Sequence, residues 1–283
     1  MAPSPRDGAN GGTRVLPYLE SIAYSLSVTE RALANNSAHL GGLAARWARW
    51  KAWLDRHSWW PAIALAVLLG ALWVFFETAD EVFAGDVQTV DRGILLAFRA
   101  GGDIHDPIGP PWVEEMMRDV TALGSAVVLT GVSLAVLGYL LLIRRTAMAA
   151  LLVVAVGGAM ALSLTLKAGF GRPRPDVVAH EMVVYSTSFP SGHAMMATAV
   201  YLTLAVLLAR VQDGHLVRVY LLAVAAMLAI LVGVSRVYLG VHWPTDVLAG
   251  WTAGTAWALL CWLAAEAVAH RRRARGKGSD ATA

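Results

Sequence analysis

Long apolar stretches separated by shorter polar ones dominate the chain from residue 60 onward. Each of them approaches the length of about 20 apolar residues that a helix needs to cross a bilayer. The pattern predicts six membrane-spanning helices at residues 60–76, 123–143, 147–166, 194–211, 219–234 and 247–268. The predicted fold class is therefore all-α, a polytopic membrane protein whose six-span domain covers residues 60–268.

Polar segments surround and interrupt this domain. Residues 1–59 contain no apolar run of spanning length and no signal-peptide pattern, so we expect a cytoplasmic extension with a disordered start and an amphipathic remainder. Its basic and aromatic end is interpreted either as a surface helix on anionic lipid or as a polar lead-in that sets the topology. Residues 269–283 form a basic tail. Residues 77–121 predict an outside loop of short helices that caps the outer end of the spans.

Composition supports a membrane protein and excludes other classes. Hydrophobic residues make up 57% of the 283 residues and charged residues only 15%, against about a quarter in soluble domains. The single cysteine, Cys261, excludes an internal disulfide and a cysteine-based metal cluster. The net charge of +3 is not interpreted as nucleic-acid binding, because Lys and Arg mark the cytoplasmic side of membrane proteins.

The distribution of basic residues predicts the orientation. Of the 23 Lys and Arg, 16 lie in the two termini and in the loops that follow spans two and four. That side is therefore predicted to be cytoplasmic, with both termini on it. The loop at residues 77–121 holds ten carboxylates against Arg92, Arg99 and Arg118, as expected for the outside.

Four further cations lie against span ends on the predicted outer side: Lys167, Arg172, Arg174 and Arg236. Ionisable groups at membrane depth are functional candidates, and converging cations repel one another unless they share an anion. The planar fork of arginine and the point charge of lysine both suit phosphate oxygens. The pattern predicts a phosphate site at this face, although Arg172 receives no role.

Two short segments beside these cations carry candidate chemistry. In Pro190-Ser191-Gly192-His193, Ser191 is a natural N-cap and Gly192 allows close approach of the backbone to an anion, although the tetrapeptide alone also fits a plain helix start. His242 and Asp246 lie four residues apart around Pro244, where the sixth span is predicted to begin. Asp246 is expected to orient His242, and His193 has no carboxylate near it in sequence, which leaves it free to donate a proton.

Together the three segments resemble the signature of the type 2 phosphatidic acid phosphatase superfamily, the lipid phosphate phosphatases. That signature is K-x(6)-R-P, then P-S-G-H, then S-R-x(5)-H-x(3)-D. Every fixed position is filled, by Lys167, Arg174, Pro175, Pro190, Ser191, Gly192, His193, Ser235, Arg236, His242 and Asp246.

The resemblance implies roles for eight of these residues. His242 is the expected nucleophile that forms a phosphohistidine, Asp246 orients it, and His193 protonates the leaving group. The expected phosphate-binding residues are Lys167, Arg174, Ser191, Gly192 and Arg236.

The implied enzyme is a metal-independent phosphatase without cofactors, located in the bacterial cytoplasmic (inner) membrane with its site facing outward. Its expected substrates are lipid phosphates or diphosphates, such as polyprenyl diphosphate, phosphatidylglycerol phosphate or phosphatidic acid. Two alternatives remain open: a lipid-to-lipid phosphotransferase that uses the same site, and a non-enzymatic anion transporter.

Overall fold

A computed structural model of the protein describes residues 60–101, 103–175 and 187–280. The helices in these ranges are α1 (Trp60–Ala84), α2 (Gln88–Leu96), α3 (Pro111–Ala122), α4 (Ala126–Leu142), α5 (Thr146–Gly169), α6 (Gly192–Ala209), α7 (His215–Tyr238) and α8 (Pro244–Asp280). The strands β1 (Arg99–Ala100) and β2 (Asp103–Pro107) pair antiparallel. The amphipathic segment predicted within residues 1–59 lies outside the described residues. The division into residues 1–59, 60–268 and 269–283 stays a prediction.

The predicted membrane architecture agrees with these helices. Within the described ranges, α1, α5, α6, α7 and α8 are each long and apolar enough to cross a bilayer. A sixth span results when α3 and α4, which meet at a bend of 46°, are counted together. The break between them is explained by Ser125, whose Oγ accepts a hydrogen bond of 3.3 Å from Val128 N and so starts α4 at Ala126.

Helix α1 is longer than the predicted first span, and the segment after it contains a strand pair. The first span was expected to end at residue 76, but α1 continues to Ala84. The hydroxyl of buried Thr78 donates a hydrogen bond to Val74 O, so this polar residue does not interrupt the helix. Gly85, with a φ of +82°, then ends the helix. The loop was expected to form short helices, and α2 and α3 are such helices. A β hairpin separates them, at a position where Gly101-Gly102 disfavours helix.

Helix α6 is the centre of the helical bundle. Ten of its 18 residues are buried, and it packs against α5, α7 and α8. The contact with α8 is made through two glycines: a Cβ on Gly250 would lie 2.7 Å from Ser191 O, and one on Gly254 would lie 2.5 Å from Met195 O. The Gly250-x-x-x-Gly254 pair therefore allows the backbones of α6 and α8 to touch.

Adjacent glycines in α5 differ in the same respect. A Cβ on Gly158 would overlap the ring of Trp257, at 2.1 Å from Cζ2, whereas a Cβ on Gly157 would meet no atom within 4 Å. The Trp257 indole also donates to Ala155 O at 2.8 Å, which fixes the ring against α5. Gly158 is therefore a packing position and Gly157 is not.

We expect Gly254→Ala to lower the midpoint of thermal unfolding in detergent. The added methyl would meet Met195 O and Thr198 Cβ, at 2.5 and 2.8 Å, and overpacking of this kind costs about 1–3 kcal/mol. Gly157→Ala is the matched control, since alanine in an open helix position is about 1 kcal/mol more favourable than glycine. Equal unfolding midpoints for the two variants would contradict this account of the α6–α8 contact.

Candidate active site

The predicted site residues meet at one end of the bundle, where four helix termini lie side by side. Lys167 is in the last turn of α5, His193 is in the first turn of α6, Arg236 is in the last turn of α7 and Asp246 is in the first turn of α8. The alternating chain direction brings these termini to one face. A backbone hydrogen bond of 2.9 Å from Ser191 N to Asp246 O joins two of the signature segments directly.

The three signature cations surround His193. Arg236, His242, Lys167 and Arg174 all exert an electrostatic influence on its imidazole. The structure thus brings together side chains that are up to 75 positions apart in the chain. All eight predicted site residues belong to this cluster.

Each cation is held by neutral oxygens. Lys167 Nζ donates to Thr187 O at 3.2 Å, and Thr187 Oγ1 donates back to Lys167 O at 2.9 Å. Arg236 Nη1 donates to Thr121 Oγ1 at 3.2 Å. Among the described residues neither Lys167 nor Arg236 forms an ion pair, so their charges are available to an anion.

Two buried polar atoms at this point have no hydrogen-bond partner among the described residues: Ser191 Oγ and Arg236 Nε. Ser191 occupies the N-cap position of α6 as predicted, but its side chain makes no capping bond, so the expected N-cap contact is wrong. Buried polar groups without partners carry a large free-energy cost. A tetrahedral anion with several oxygens would satisfy both atoms.

Gly192 lets α6 begin directly against Lys167. A Cβ on Gly192 would lie 3.2 Å from Lys167 Cε and 3.6 Å from Ser163 Oγ. The first amides of α6 therefore face the lysine side chain, and a helix N-terminus favours negative charge. Lys167 and the N-terminus of α6 can therefore bind the same anion.

His242 is buried and is contacted on both ring nitrogens. Its Nδ1 lies 3.4 Å from Asp246 Oδ2, and its Nε2 lies 3.2 Å from Arg174 Nη1. A guanidinium only donates, so Nε2 must carry the lone pair and the ring proton must be on Nδ1, facing the carboxylate. This is the tautomer that a nucleophilic Nε2 requires.

Burial lowers the pKa of His242 to about 3, and the cations Arg236 and Arg174 add to the shift while the hydrogen bond to Asp246 opposes it. The imidazole is therefore neutral throughout the physiological range. Burial also lowers the pKa of Arg174, although Asp246 opposes the shift.

Asp246 is fully buried and both of its oxygens are occupied. Besides His242, Oδ2 accepts from Trp243 N at 3.0 Å and from Ser188 Oγ, while Oδ1 accepts from Arg172 Nη1 at 2.7 Å. The orientation predicted for Asp246 is consistent with this geometry. Ser188 is an addition that the sequence motifs did not include.

Arg172, which had no predicted role, faces away from the cation cluster and pairs with two carboxylates. Its Nη2 lies 2.6 Å from Asp91 Oδ2, and its Nη1 binds Asp246. Asp91 was assigned to the acidic outside loop, yet it is fully buried. The signal in the sequence was its helical spacing, since Val87, Asp91 and Leu95 form one buried stripe of α2 and a carboxylate on such a stripe needs a partner.

The side chains at this end of the bundle define the chemistry available there. Among the described residues no group of three His, Cys, Asp or Glu has the arrangement of a metal site. The available chemistry is an oriented neutral imidazole, a second histidine and three cations around two unpartnered donors. That set suits transfer of a phosphoryl group to His242.

Comparison with known proteins agrees with this chemistry. The phosphatidylglycerophosphatase B of Bacillus subtilis is 38% identical over 190 residues, which cover 65% of this chain and 88% of the relative. An undecaprenyl-diphosphatase of Sulfolobus acidocaldarius is 38% identical over 68 residues, 24% of this chain and 29% of that relative.

A solved structure has the same fold. The crystal structure of a transmembrane PAP2-type phosphatidylglycerolphosphate phosphatase from Bacillus subtilis matches with a TM-score of 0.62 and 31% identity, covering 69% of this chain and 93% of that one. The family described as "PAP2 superfamily" matches residues 147–269, which contain all three signature segments. By these sequence and structural matches, the chain belongs to the PAP2 superfamily.

Proposed function

We propose that this protein is an integral membrane enzyme that hydrolyses lipid phosphates or lipid diphosphates through a phosphohistidine on His242. As a member of the PAP2 superfamily it is a phosphatase for lipid phosphate esters. The observation that carries the proposed mechanism is a pair of buried donors, Ser191 Oγ and Arg236 Nε, that have no partner among the described residues. They lie at the same bundle end as an imidazole whose Nε2 carries a lone pair directed at Arg174.

The first step breaks one P–O bond and forms one P–N bond. His242 Nε2 attacks phosphorus, and the Nδ1 proton stays on the ring, where Asp246 stabilises the cationic phosphohistidine. His193 binds a proton once the anionic substrate offsets the surrounding cations, and it donates this proton to the departing lipid oxygen. Arg174, at 3.2 Å from Nε2, lies where the phosphoryl oxygens would meet the nucleophile.

The second step uses water as the acceptor. His193, now without its proton, removes a proton from water as the water oxygen attacks phosphorus. The P–N bond breaks, and inorganic phosphate and neutral His242 are released. Lys167, Arg174 and Arg236 neutralise the charge of the phosphoryl oxygens in both steps, the role that Mg²⁺ has in other phosphotransferases.

The substrate class follows from where the site lies. Four spanning helices end at it, which is the depth of a lipid headgroup when the acyl or prenyl tail stays in the hydrocarbon. The cation cluster binds the phosphoryl group, which polyprenyl diphosphate, phosphatidylglycerol phosphate and phosphatidic acid share. We infer from the basic residues in the termini that this end faces the outside of a bacterial cytoplasmic membrane.

His242→Ala is expected to lower phosphate release from these three lipids by at least roughly 10³-fold, the scale on which a lost nucleophile acts. Purified protein is assayed for inorganic phosphate with excess EDTA present, and His270→Ala, on an exposed position of α8, is the matched control. Full activity of His242→Ala would refute the nucleophile. Loss of wild-type activity in EDTA would refute the metal-free mechanism. With a substrate labelled in its phosphate group, transfer of the label to another lipid would identify a transferase.

The buried imidazole is expected to stay neutral from about pH 8 down to about pH 5, since its pKa of about 3 lies far below the usual histidine value. Two-bond ¹H–¹⁵N spectra of ring-labelled histidines, with the His242 signal assigned by its loss in His242→Ala, measure both charge and tautomer. The expected pattern is a proton on Nδ1 and no titration in this range. A midpoint near pH 6.5 or a proton on Nε2 would be inconsistent with the proposed nucleophile.

Single cysteines test the orientation. In a Cys261→Ala background, Asp86→Cys, in the exposed turn before α2, is expected to react with a membrane-impermeant maleimide on intact cells. Asp213→Cys, in the exposed turn between α6 and α7, is expected to react only after permeabilisation. The opposite labelling pattern would place the site on the cytoplasmic face.

A further inference from the structure

Asp91 is a fully buried carboxylate on a helix that otherwise belongs to the outer loop. Its neighbours on α2 differ sharply, since Val90 is 61% exposed and Ile94 is 43% exposed. α2 therefore turns Asp91 inward on the same buried side as Leu95, while Val90 and Ile94 face outward. Burial of a carboxylate in this way requires strong partners.

The partners of Asp91 all belong to the active-site end of the bundle. Oδ1 accepts from Thr245 N at 2.9 Å, and Oδ2 accepts from Thr245 Oγ1 and from Arg172 Nη2, both at 2.6 Å. Thr245 lies in the first turn of α8, beside Asp246. Asp91 thus holds the start of α8 through a backbone amide, a hydroxyl and a guanidinium.

Arg172 transmits this contact to the proposed nucleophile. Its Nη1 donates to Asp246 Oδ1 at 2.7 Å, so one guanidinium binds a carboxylate with each terminal nitrogen. The fork is rigid and planar, which fixes the two carboxylates relative to each other. The Trp243 ring lies 5.7 Å from the guanidinium carbon and covers it.

We propose that Asp91 and Arg172 are positioning residues for the reaction: together they keep Asp246 Oδ2 turned toward His242 Nδ1. This inference rests on the proposed function, in which His242 is the nucleophile. With Asp91 present, Arg172 engages only Oδ1 of Asp246. Without Asp91, the guanidinium is free to bind both oxygens of Asp246 in a bidentate pair, which draws Oδ2 away from His242.

Asp91→Asn is expected to lower kcat by roughly 10- to 100-fold, the range found for outer partners of functional histidines, with KM changed by less than about threefold. KM is expected to stay nearly unchanged because Asp91 contacts neither Lys167 nor Arg236, which bind the phosphate in the proposed function. Asp86→Asn removes an equal charge from an exposed position of the same loop and is expected to leave both parameters unchanged. A kcat equal to that of wild type in folded Asp91→Asn, or a change in KM alone, would overturn the proposal.

A second pair of variants separates positioning from general destabilisation. Arg172→Lys keeps the charge but loses the fork, and is expected to reproduce the fall in kcat with a retained gel-filtration profile. In an Asp246→Asn background, Asp91→Asn is expected to lower kcat by less than about threefold further, because both act through one orientation. Multiplicative losses in the double variant would overturn the proposal.

A spectroscopic measurement keeps this test independent of activity. In Asp91→Asn the Nδ1–H signal of His242 is expected to shift, while the His193 signals do not. In Asp91→Glu the His242 signal is expected to lie closer to its wild-type position than in Asp91→Asn. An unchanged His242 signal overturns the positioning role even where the enzyme is active. If the wild-type protein released no phosphate from any of the three lipids, the proposed function would be refuted. The spectral result would still be valid in that case.

Discussion

The close contact between α6 and α8 is the constraint on which the site depends. Gly250 and Gly254 let the two backbones touch, and Ser191 N donates to Asp246 O at the point where both helices begin. This contact brings the start of α6, with its free amides, beside the start of α8, with its carboxylate. Any larger residue at either glycine would separate the anion-binding segment from the segment that orients His242.

A second constraint is electrostatic and concerns the charged side chains near that contact. Lys167, Arg174 and Arg236 lie together at a bundle end where Arg236 is buried and the other two are partly buried, which is costly without an anion. Asp246 is the carboxylate nearest to them, and Arg172 compensates much of its charge. The fold thus holds two groups of charges: two carboxylates that share Arg172, and a group of three cations that remains for the substrate.

Sequence predicted the spans well, and the signature residues that it named lie together in the fold, because both patterns depend on local information. Apolar length marks helices, and the signature segments have fixed internal spacing, so Pro244 correctly marked the start of α8. The partners of these residues were harder to find. Asp91 pairs with Arg172 across 81 positions, and nothing in the spacing links the two.

The same limit explains the errors at the edges of the elements. The end of the first span was placed at residue 76 from polarity alone, whereas α1 continues past this point and the Thr78 hydroxyl donates to Val74 O within it. Ser191 was interpreted as a helix cap, but its hydroxyl has no partner among the residues that the structure describes. In both cases a polar side chain was assigned by its type, while its actual role depends on a tertiary environment that one sequence does not contain.

The unpartnered Ser191 Oγ and Arg236 Nε have a consequence for regulation and handling of the enzyme. Two buried donors that await an anion make the folded state more favourable whenever an anion is bound, by about 2.7 kcal/mol at 100 times the dissociation constant. Inorganic phosphate, the final product, is such an anion. The molecule that the reaction releases therefore both stabilises the fold against heat and competes with the next lipid.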